Sequence, residues 1–179
     1  MSVAELVNMT ATITAASAQF LRDSEIRRGT ELLFFAYSRM TKAVDGRLGE
    51  NSIGRAHHRA LYFIGRHPDI SVSELLAILG VTKQSLGRVL TELEDRKMVE
   101  TRIGERDRRQ RLLRLTDKGH QLDMELFNAG RDIMAQAYTK AGQQAVTGFW
   151  AVLEGLIPDG ERMRIHQWRD TSVPPGERG

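Results

Sequence analysis

Apolar residues recur at helical spacing along most of the chain and predict a succession of helices. The first covers residues 25–48, where apolar side chains occupy more than one stripe. Such a helix must be buried on two sides, by its own chain and by something else. The second covers residues 53–66 and turns one stripe inward, formed by Ala60, Leu61 and Ile64. A chain that begins in this way is predicted to be mainly α-helical.

Two short helices joined by a tight turn follow. Ser71 and Glu74 have the spacing of a capping box, in which each side chain satisfies a free backbone donor at the helix start. Gly80 supplies the turn residue that ends this helix. Thr82 can cap the next helix, residues 83–97. Its apolar stripe has the spacing i, i+3, i+4, i+7 and consists of Leu86, Val89, Leu90 and Leu93. The pair reads as a helix-turn-helix, whose second helix enters the major groove of DNA.

A hairpin and two further helices complete the order. Residues 98–103 and 110–115 alternate as two strands joined by a polar segment. Thr116 then caps a long helix that ends at about residue 140, and a last helix ends before Pro158. The predicted fold is mainly α with a small β-hairpin wing: a winged helix-turn-helix plus a helical dimerisation region.

This order predicts how the chain is organised. We expect an N-terminal extension that forms a weak helix or stays loose (residues 1–24), a dimerisation helix (25–50), a winged helix-turn-helix lobe that binds DNA (51–118), a long helix and a C-terminal dimerisation helix (116–157), and a flexible tail (158–179). The apolar first helix predicts a homodimer, as does the stripe of the last helix, which consists of Phe149, Trp150, Leu153 and Leu156.

Charge is clustered rather than spread. The net charge is only +3, yet residues 101–118 hold seven basic and three acidic residues. A clustered excess of this kind is an electrostatic footprint for phosphate, although charge alone fits a solvated basic surface equally well. The chain has no cysteine, no secretory leader pattern and no run of about 18 apolar residues, so we expect a cytoplasmic protein without a membrane partner.

The second helix of the helix-turn-helix carries a polar face opposite its apolar stripe. Gln can pair with adenine and Arg with guanine through two hydrogen bonds, so this face is predicted to contact base edges. Gly87 lies near it and can let the helix lie deep, at a cost of up to ~1 kcal/mol of helix propensity. The alternative is the solvated face of a surface helix. The predicted DNA contacts of this motif are Ser71, Thr82, Lys83, Gln84, Ser85, Arg88 and Thr91.

The tip of the predicted hairpin is strongly basic. A basic tip beside a helix in the major groove can enter the neighbouring minor groove. An ion pair between Asp107 and Arg109 would brace the turn and aim Arg108 outward, although an ordinary charged hairpin has the same composition. The predicted DNA contacts of the hairpin are Arg106, Arg108, Arg109 and Arg111.

Two stretches resemble the MarR family of transcriptional regulators. DRRQRLLRLTDKG, residues 107–119, is similar to the wing-to-helix signature of that family, and residues 73–100 resemble its helix-turn-helix. Met98 departs from the pattern, which usually has glycine there, and puts the turn into the strand in doubt. RAHHRALYFIGRHPD, residues 55–69, resembles an LdtR-like branch. The resemblance implies a homodimer that binds double-stranded DNA at pseudo-palindromic operators and responds to a ligand, as a repressor or as an activator.

The resemblance also implies an effector pocket between the dimer helices and the DNA-binding lobe. We expect a small aromatic or anionic molecule there, because one cation, an aromatic wall and titratable donors suit a carboxylate or phenol. The alternative leaves Tyr37 in the core and Arg28 in solvent. The candidate ligand-binding residues are Arg28, Tyr37, His57 and His58.

Other classes of function lack their motifs. The sequence has no glycine-rich phosphate loop, nucleophile elbow or HExxH spacing, so neither an enzyme nor a cofactor is predicted. His57 and His58 are neighbours on a predicted helix and point ~100° apart, which suits a shared metal ion poorly. The remaining alternative is an architectural DNA-binding protein with no sensing role.

Overall fold

The computed structural model describes residues 21–104 and 107–162. The chain divides into two compact units, Met1–Lys42 and Ala43–Gly179, which are described separately. Helix α1 (Asp23–Glu50) begins in the first unit and ends in the second. Most of the predicted N-terminal extension lies outside the described residues.

The described part of the first unit is the N-terminal portion of α1. Asp23 and Glu25 stand in its first turn, where negative charge interacts favourably with the helix dipole. The large apolar side chains of this portion are exposed in the single chain: Ile26, Leu32, Leu33, Phe34, Phe35 and Tyr37. Phe34 and Phe35 are 69% and 75% exposed. The predicted excess of apolar surface on this helix is therefore present in the structure.

In the part of the second unit that the structure describes, further helices follow the end of α1. These are α2 (Arg55–Arg66), α3 (Val72–Leu79), α4 (Lys83–Asp95), α5 (Asp117–Ala141) and α6 (Gln143–Gly155). Their order is the predicted one, and each predicted end lies within two residues of the observed one. Beyond α6, residues 159–162 form a helical turn, with the N–H groups of Glu161 and Arg162 donating to the Pro158 carbonyl at 2.9 Å. The rest of the predicted flexible tail lies outside the described residues.

The wing is part of a three-stranded antiparallel sheet. Strands β2 (Val99–Ile103) and β3 (Arg111–Leu115) form the predicted hairpin, with Val99 opposite Leu115 and Ile103 opposite Arg111. A third strand, β1 (Ile70–Ser71), pairs with the other edge of β3 and was not predicted. Two residues are too few to show an alternating pattern. The strand order β1-β3-β2 ties the wing to the start of the helix-turn-helix.

One hydrophobic core lies in the second unit. Every helix and strand of this unit except α6 contributes a side chain to it, and no polar residue among those described is buried. Ala60, Leu61 and Ile64 of α2 are fully buried, as predicted. Removing one such leucine or isoleucine side chain would cost about 2–5 kcal/mol of stability. The core fixes α3, α4 and the hairpin against α2.

Two glycines permit close approach of neighbouring elements. A Cβ atom on Gly119 would lie 2.0 Å from the carbonyl oxygen of Met98, and one on Gly65 would lie 2.9 Å from Asp123 Oδ2. The second contact places the Asp123 carboxyl of α5 against α2. Its Oδ1 is buried without a hydrogen-bond partner among the described residues. Burial raises the pKa of Asp123 to about 6, against the opposing effects of His120 and Arg66.

The structure resolves the doubt about Met98. The preceding residue, Lys97, takes the left-handed conformation at φ 57°. Met98 is 3% exposed, donates its N–H to the Leu93 carbonyl and accepts from the Thr116 N–H at 3.1 Å. Lys97 therefore makes the turn into β2, and Met98 fills the core.

Candidate nucleic-acid interface

The caps predicted for α3 and α4 are confirmed. Ser71 Oγ accepts from the Glu74 N–H at 3.2 Å while Glu74 Oε2 accepts from the Ser71 N–H at 2.8 Å. Gly80 ends α3 in the left-handed conformation, at φ 62°. Thr82 Oγ1 accepts from the Ser85 N–H at 3.2 Å and donates to Ser85 Oγ at 2.9 Å. Ser71, Thr82 and Ser85, all predicted DNA contacts, thus already hold the two helix starts in place.

Helix α4 turns its apolar stripe into the core and its polar face to solvent. Leu86, Leu90 and Leu93 are 7% exposed or less, and Val89 is partly buried. The four remaining predicted contacts are all exposed: Lys83, Gln84, Arg88 and Thr91. Their side chains make no hydrogen bond or ion pair with any described residue. The core therefore fixes the helix while its outer donors stay available to a ligand.

Gly87 lies within this outer face. A Cβ atom built on it meets no atom within 4 Å, and the residue is exposed. The fold of the chain therefore has no steric need for glycine at this position, although glycine is a poor helix former.

Only part of the basic hairpin is available to a ligand. Arg102 pairs with Glu100, and the guanidinium of Arg114 forms a two-bonded ion pair with the Asp69 carboxylate. Lys118 donates to a backbone carbonyl oxygen at 3.0 Å. The side chains of Arg108, Arg109 and Arg111 are exposed and have no partner among the described residues. Arg106, predicted with them, lies outside the described residues.

Asp107 braces the hairpin turn differently from the prediction. Its carboxylate accepts the backbone N–H of Arg109 at 2.9 Å, and no ion pair with the Arg109 guanidinium is found among the described residues. The Asp107 carbonyl oxygen also accepts the Gln110 N–H at 3.0 Å. A carboxylate that satisfies the backbone two residues on is the usual role of aspartate in turns. The correction leaves both Arg108 and Arg109 free to point outward.

The candidate effector residues divide between the two units. In the first unit Arg28 is exposed and Tyr37 is 62% exposed, so Tyr37 does not lie in the core of the single chain. In the second unit His57 and His58 are half-buried on α2. Both ring nitrogens of His57 have protein partners, Gly54 N and Glu92 Oε2. Burial lowers the pKa of His58, which favours a neutral imidazole.

Two basic side chains that the sequence did not single out, Arg59 and Arg96, bind backbone carbonyl groups. Arg59 of α2 donates to the Leu79 carbonyl oxygen, at the end of α3, at 3.0 Å. Arg96 donates to two carbonyl oxygens of the loop between α1 and α2. Basic residues favour helix C-termini, but sequence spacing does not reveal which distant helix end they reach.

The described residues hold no group of three or more histidine or acidic side chains that could bind a metal ion. Within the same residues, no helix is long and apolar enough to cross a membrane.

The fold and this site define a winged helix-turn-helix protein. A family model described as "MarR family" matches residues 52–110. The chain is 48% identical over 151 residues to the HTH-type transcriptional regulator PetP of Rhodobacter capsulatus, an alignment that covers 84% of this chain and 91% of that protein. The chain belongs to the MarR family of DNA-binding transcriptional regulators, a family that is not enzymatic. These matches do not test the LdtR-like branch, which stays a prediction.

Solved structures share the fold. A crystal structure of MarR has a TM-score of 0.60 at 21% identity and covers 76% of this chain and 93% of that one. A mutant MepR from S. aureus scores 0.63 at 16% identity, covering 71% and 93%. A mutant MarR from E. coli complexed with operator DNA scores 0.58 at 22% identity, covering 75% and 96%. At these identities the likeness concerns the fold alone.

Proposed function

We propose that this regulator is a cytoplasmic homodimer that binds pseudo-palindromic operators in double-stranded DNA and acts as a ligand-responsive repressor. The observation that carries the proposal is the polar face of α4. A helix fixed by three buried leucines presents Gln84 and Arg88 one turn apart, both exposed and unpaired among the described residues. Side chains at i and i+4 lie on one face and can reach neighbouring base pairs in a major groove.

The wing supplies phosphate or minor-groove contacts beside this helix. Arg108, Arg109 and Arg111 keep their charge available, whereas the other described arginines of the hairpin are neutralised by acidic partners. Each phosphate contact releases a counterion, so such residues give affinity that falls steeply with salt. We assign base reading to α4 and the salt-dependent part of affinity to the wing.

A second copy of the chain is the partner that suits the exposed apolar surface. Phe34 and Phe35 of α1 are exposed, and α6 has no buried residue although Phe149, Trp150 and Leu156 are large. Large apolar side chains clustered on an exposed helix face mark an interaction surface, and α1 and α6 each carry such a cluster. In a symmetric dimer the two α4 helices would lie about 34–36 Å apart, one turn of DNA. The expected operator is therefore a pseudo-palindrome.

Ligand control is proposed from the surroundings of the four candidate effector residues. His58 is half-buried, and burial lowers its pKa, which favours the neutral imidazole. Its ring makes no hydrogen bond with the described residues, so its N–H can donate to a phenol or carboxylate. Arg28 and Tyr37 are further candidates in the first unit, and both are exposed there. His57 would have to give up its bonds to Gly54 and Glu92 to take part.

Selection from a randomised duplex library, with light scattering on the same sample, tests the proposal. The expected result is a stable dimer and an enriched pseudo-palindrome with half-sites one helical turn apart. A folded monomer at micromolar concentration would contradict the dimer. DNA binding without an enriched sequence would favour the alternative, an architectural protein with no sensing role.

Calorimetry with a panel of phenolic acids, with and without operator, tests ligand control. By thermodynamic linkage, a ligand that weakens DNA binding tenfold must itself bind tenfold more weakly to the DNA complex. Equal ligand affinity in the two titrations would exclude this mechanism. Unchanged affinity in His58→Ala, compared with His120→Ala as a matched histidine control, would exclude His58 as a contact.

A further inference from the structure

The C-terminal half of α4 is bound to the segment that joins α1 to α2, residues 51–54, here called the elbow. The guanidinium of Arg96, the residue after the helix, donates to the carbonyl oxygens of Asn51 at 3.0 Å and Ser52 at 3.1 Å. Two bonds from one planar guanidinium fix direction as well as distance. Ser52 has φ 52°, a conformation that residues other than glycine adopt infrequently. The elbow thus has a defined shape, and Arg96 holds two of its carbonyl groups.

A second link from the same segment reaches α4 one helical turn earlier. His57 Nε2 lies 2.8 Å from Glu92 Oε2, and His57 Nδ1 accepts the N–H of Gly54 at 3.1 Å. Because Nδ1 accepts a bond, the proton of a neutral imidazole belongs on Nε2, which then donates to Glu92. His57 therefore connects the end of the elbow to α4.

The start of α5 binds the same end of α4 through other groups. Lys118 Nζ donates to the Arg96 carbonyl oxygen at 3.0 Å, and Thr116 Oγ1 donates to the Lys97 carbonyl oxygen at 2.7 Å. The free polar side chains that face DNA in our proposal begin at the opposite end of the helix. Helix α4 is thus held by hydrogen bonds at its C-terminal end and presents its reading face from its N-terminal end.

The residues on both sides of the elbow are fixed within the second unit. Val44 and Leu48, from the last turns of α1, belong to the core. Arg55, at the start of α2, donates to both carboxylate oxygens of Asp45 at 2.9 and 2.7 Å. Because both sides of the elbow are fixed in this way, its bonds to Arg96 orient α4 relative to the end of α1.

We propose that Arg96 is a positioning residue that sets the half-site spacing accepted by the dimer. The inference rests on the proposed DNA-binding function. Adding one base pair between half-sites moves one of them by about 3.4 Å and rotates it by about 34–36°. A recognition helix held firmly at one end cannot follow that displacement. When the Arg96 bonds are removed, the helix end is freer, and a wider range of spacings is tolerated.

The test measures the binding of full-length variants to three operators. One has the half-site spacing enriched from the randomised library, and the other two have a spacing that is one base pair longer or one base pair shorter. Arg96→Met keeps most of the apolar stem and removes all donors. Arg47→Met is the matched control, because it removes the same charge, and among the described residues the Arg47 side chain pairs only with Glu50 of its own helix, at 3.1 Å. Arg96→Lys restores the charge, and Glu92→Ala breaks the second link.

The wild-type protein and Arg47→Met should prefer the selected spacing by at least about tenfold, which corresponds to ~1.4 kcal/mol. In Arg96→Met we expect this preference to fall below about threefold, with an unchanged half-site sequence, and in Arg96→Lys to recover in part. A simple loss of stability would lower affinity at all spacings alike. A preserved spacing preference in Arg96→Met overturns the proposal, whatever its affinity.

A variant that fails to fold does not prevent the test. If circular dichroism shows that Arg96→Met is unfolded, Arg96→Lys and Glu92→Ala decide, and wild-type spacing preference in both overturns the proposal. If the wild-type chain selects no sequence at all, the proposed function fails instead, so the two failures are distinguishable.

Discussion

Gly87 offers a test in which stability and DNA binding should move in opposite directions. Its position on α4 faces open space, so a methyl group added there meets no atom within 4 Å. Gly87→Ala should therefore stabilise the fold by ~0.8–1 kcal/mol through helix propensity alone. For a chain of this size, ~1 kcal/mol raises the melting temperature by about 2–4 °C.

The same methyl group should weaken DNA binding if the polar face of α4 lies against the floor of the major groove. Forcing an extra methyl group into a well-packed contact costs about 1–3 kcal/mol. Because a tenfold change in affinity corresponds to ~1.4 kcal/mol, Gly87→Ala should lower operator affinity by roughly 5- to 150-fold. Fluorescence anisotropy on a selected operator measures this loss, and a thermal melt of the same sample measures stability. Each dimer would carry the change twice, once per half-site.

Gly46→Ala is the matched control, because Gly46 is an exposed helical glycine of α1 with no atom within 4 Å of its Cβ position. It should give the same gain in melting temperature with no loss of operator affinity. If Gly87→Ala raises the melting temperature and binds operator as tightly as the wild-type protein, the close approach of this face to DNA is refuted. A lower melting temperature would refute the open-space argument.

Three further outcomes are expected. Arg108→Ala should weaken DNA binding without changing base preference, and should reduce the slope of log affinity against log salt by about 2 per dimer, since each lost phosphate contact removes ~0.9 from that slope. An unchanged slope would count against a phosphate contact by Arg108. Because the pKa of Asp123 is raised, the wild-type protein loses stability as pH rises from about 4 to 6, so Asp123→Asn should be more stable than the wild type at pH 8 by about 1–2 kcal/mol after allowance for screening by water. Equal urea midpoints of the two proteins at pH 8 would exclude a penalty for the buried charge. A gain that persists at pH 4 would exclude titration of Asp123 as its cause. Phe35→Asp should shift light scattering towards the monomer, and an unaltered dimer would remove α1 from the interface.

Local signals in the sequence predicted most of the fold correctly. The capping box of Ser71 and Glu74 and the Thr82 cap are formed by residues close in sequence, so their spacing identifies them directly. Helical periodicity likewise predicted the buried stripe of α4. Strand β1 was missed because its pairing with β3 depends on residues about forty positions away, and two residues carry no period of their own.

The candidate site was predicted less completely, for the same reason. Exposed residues of α4 follow from helix geometry, but which of the basic side chains of residues 101–118 remain available depends on long-range partners. Arg114 is bound by Asp69, and Lys118 by the carbonyl group of Arg96. The link between His57 and Glu92 joins two helices, and no periodicity within either one indicates it. Asp107 was correctly expected to brace the turn, but it acts on the Arg109 backbone.

The central claim is that the exposed face of α4 reads base pairs. Its most direct test is to measure the relative affinity of wild-type protein and Arg88→Ala for every single-base variant of the selected operator. We predict that Arg88→Ala loses ~1–3 kcal/mol of discrimination at one base pair in each half-site and keeps the wild-type preference elsewhere. A uniform loss of affinity with the preference intact at every base pair would contradict it.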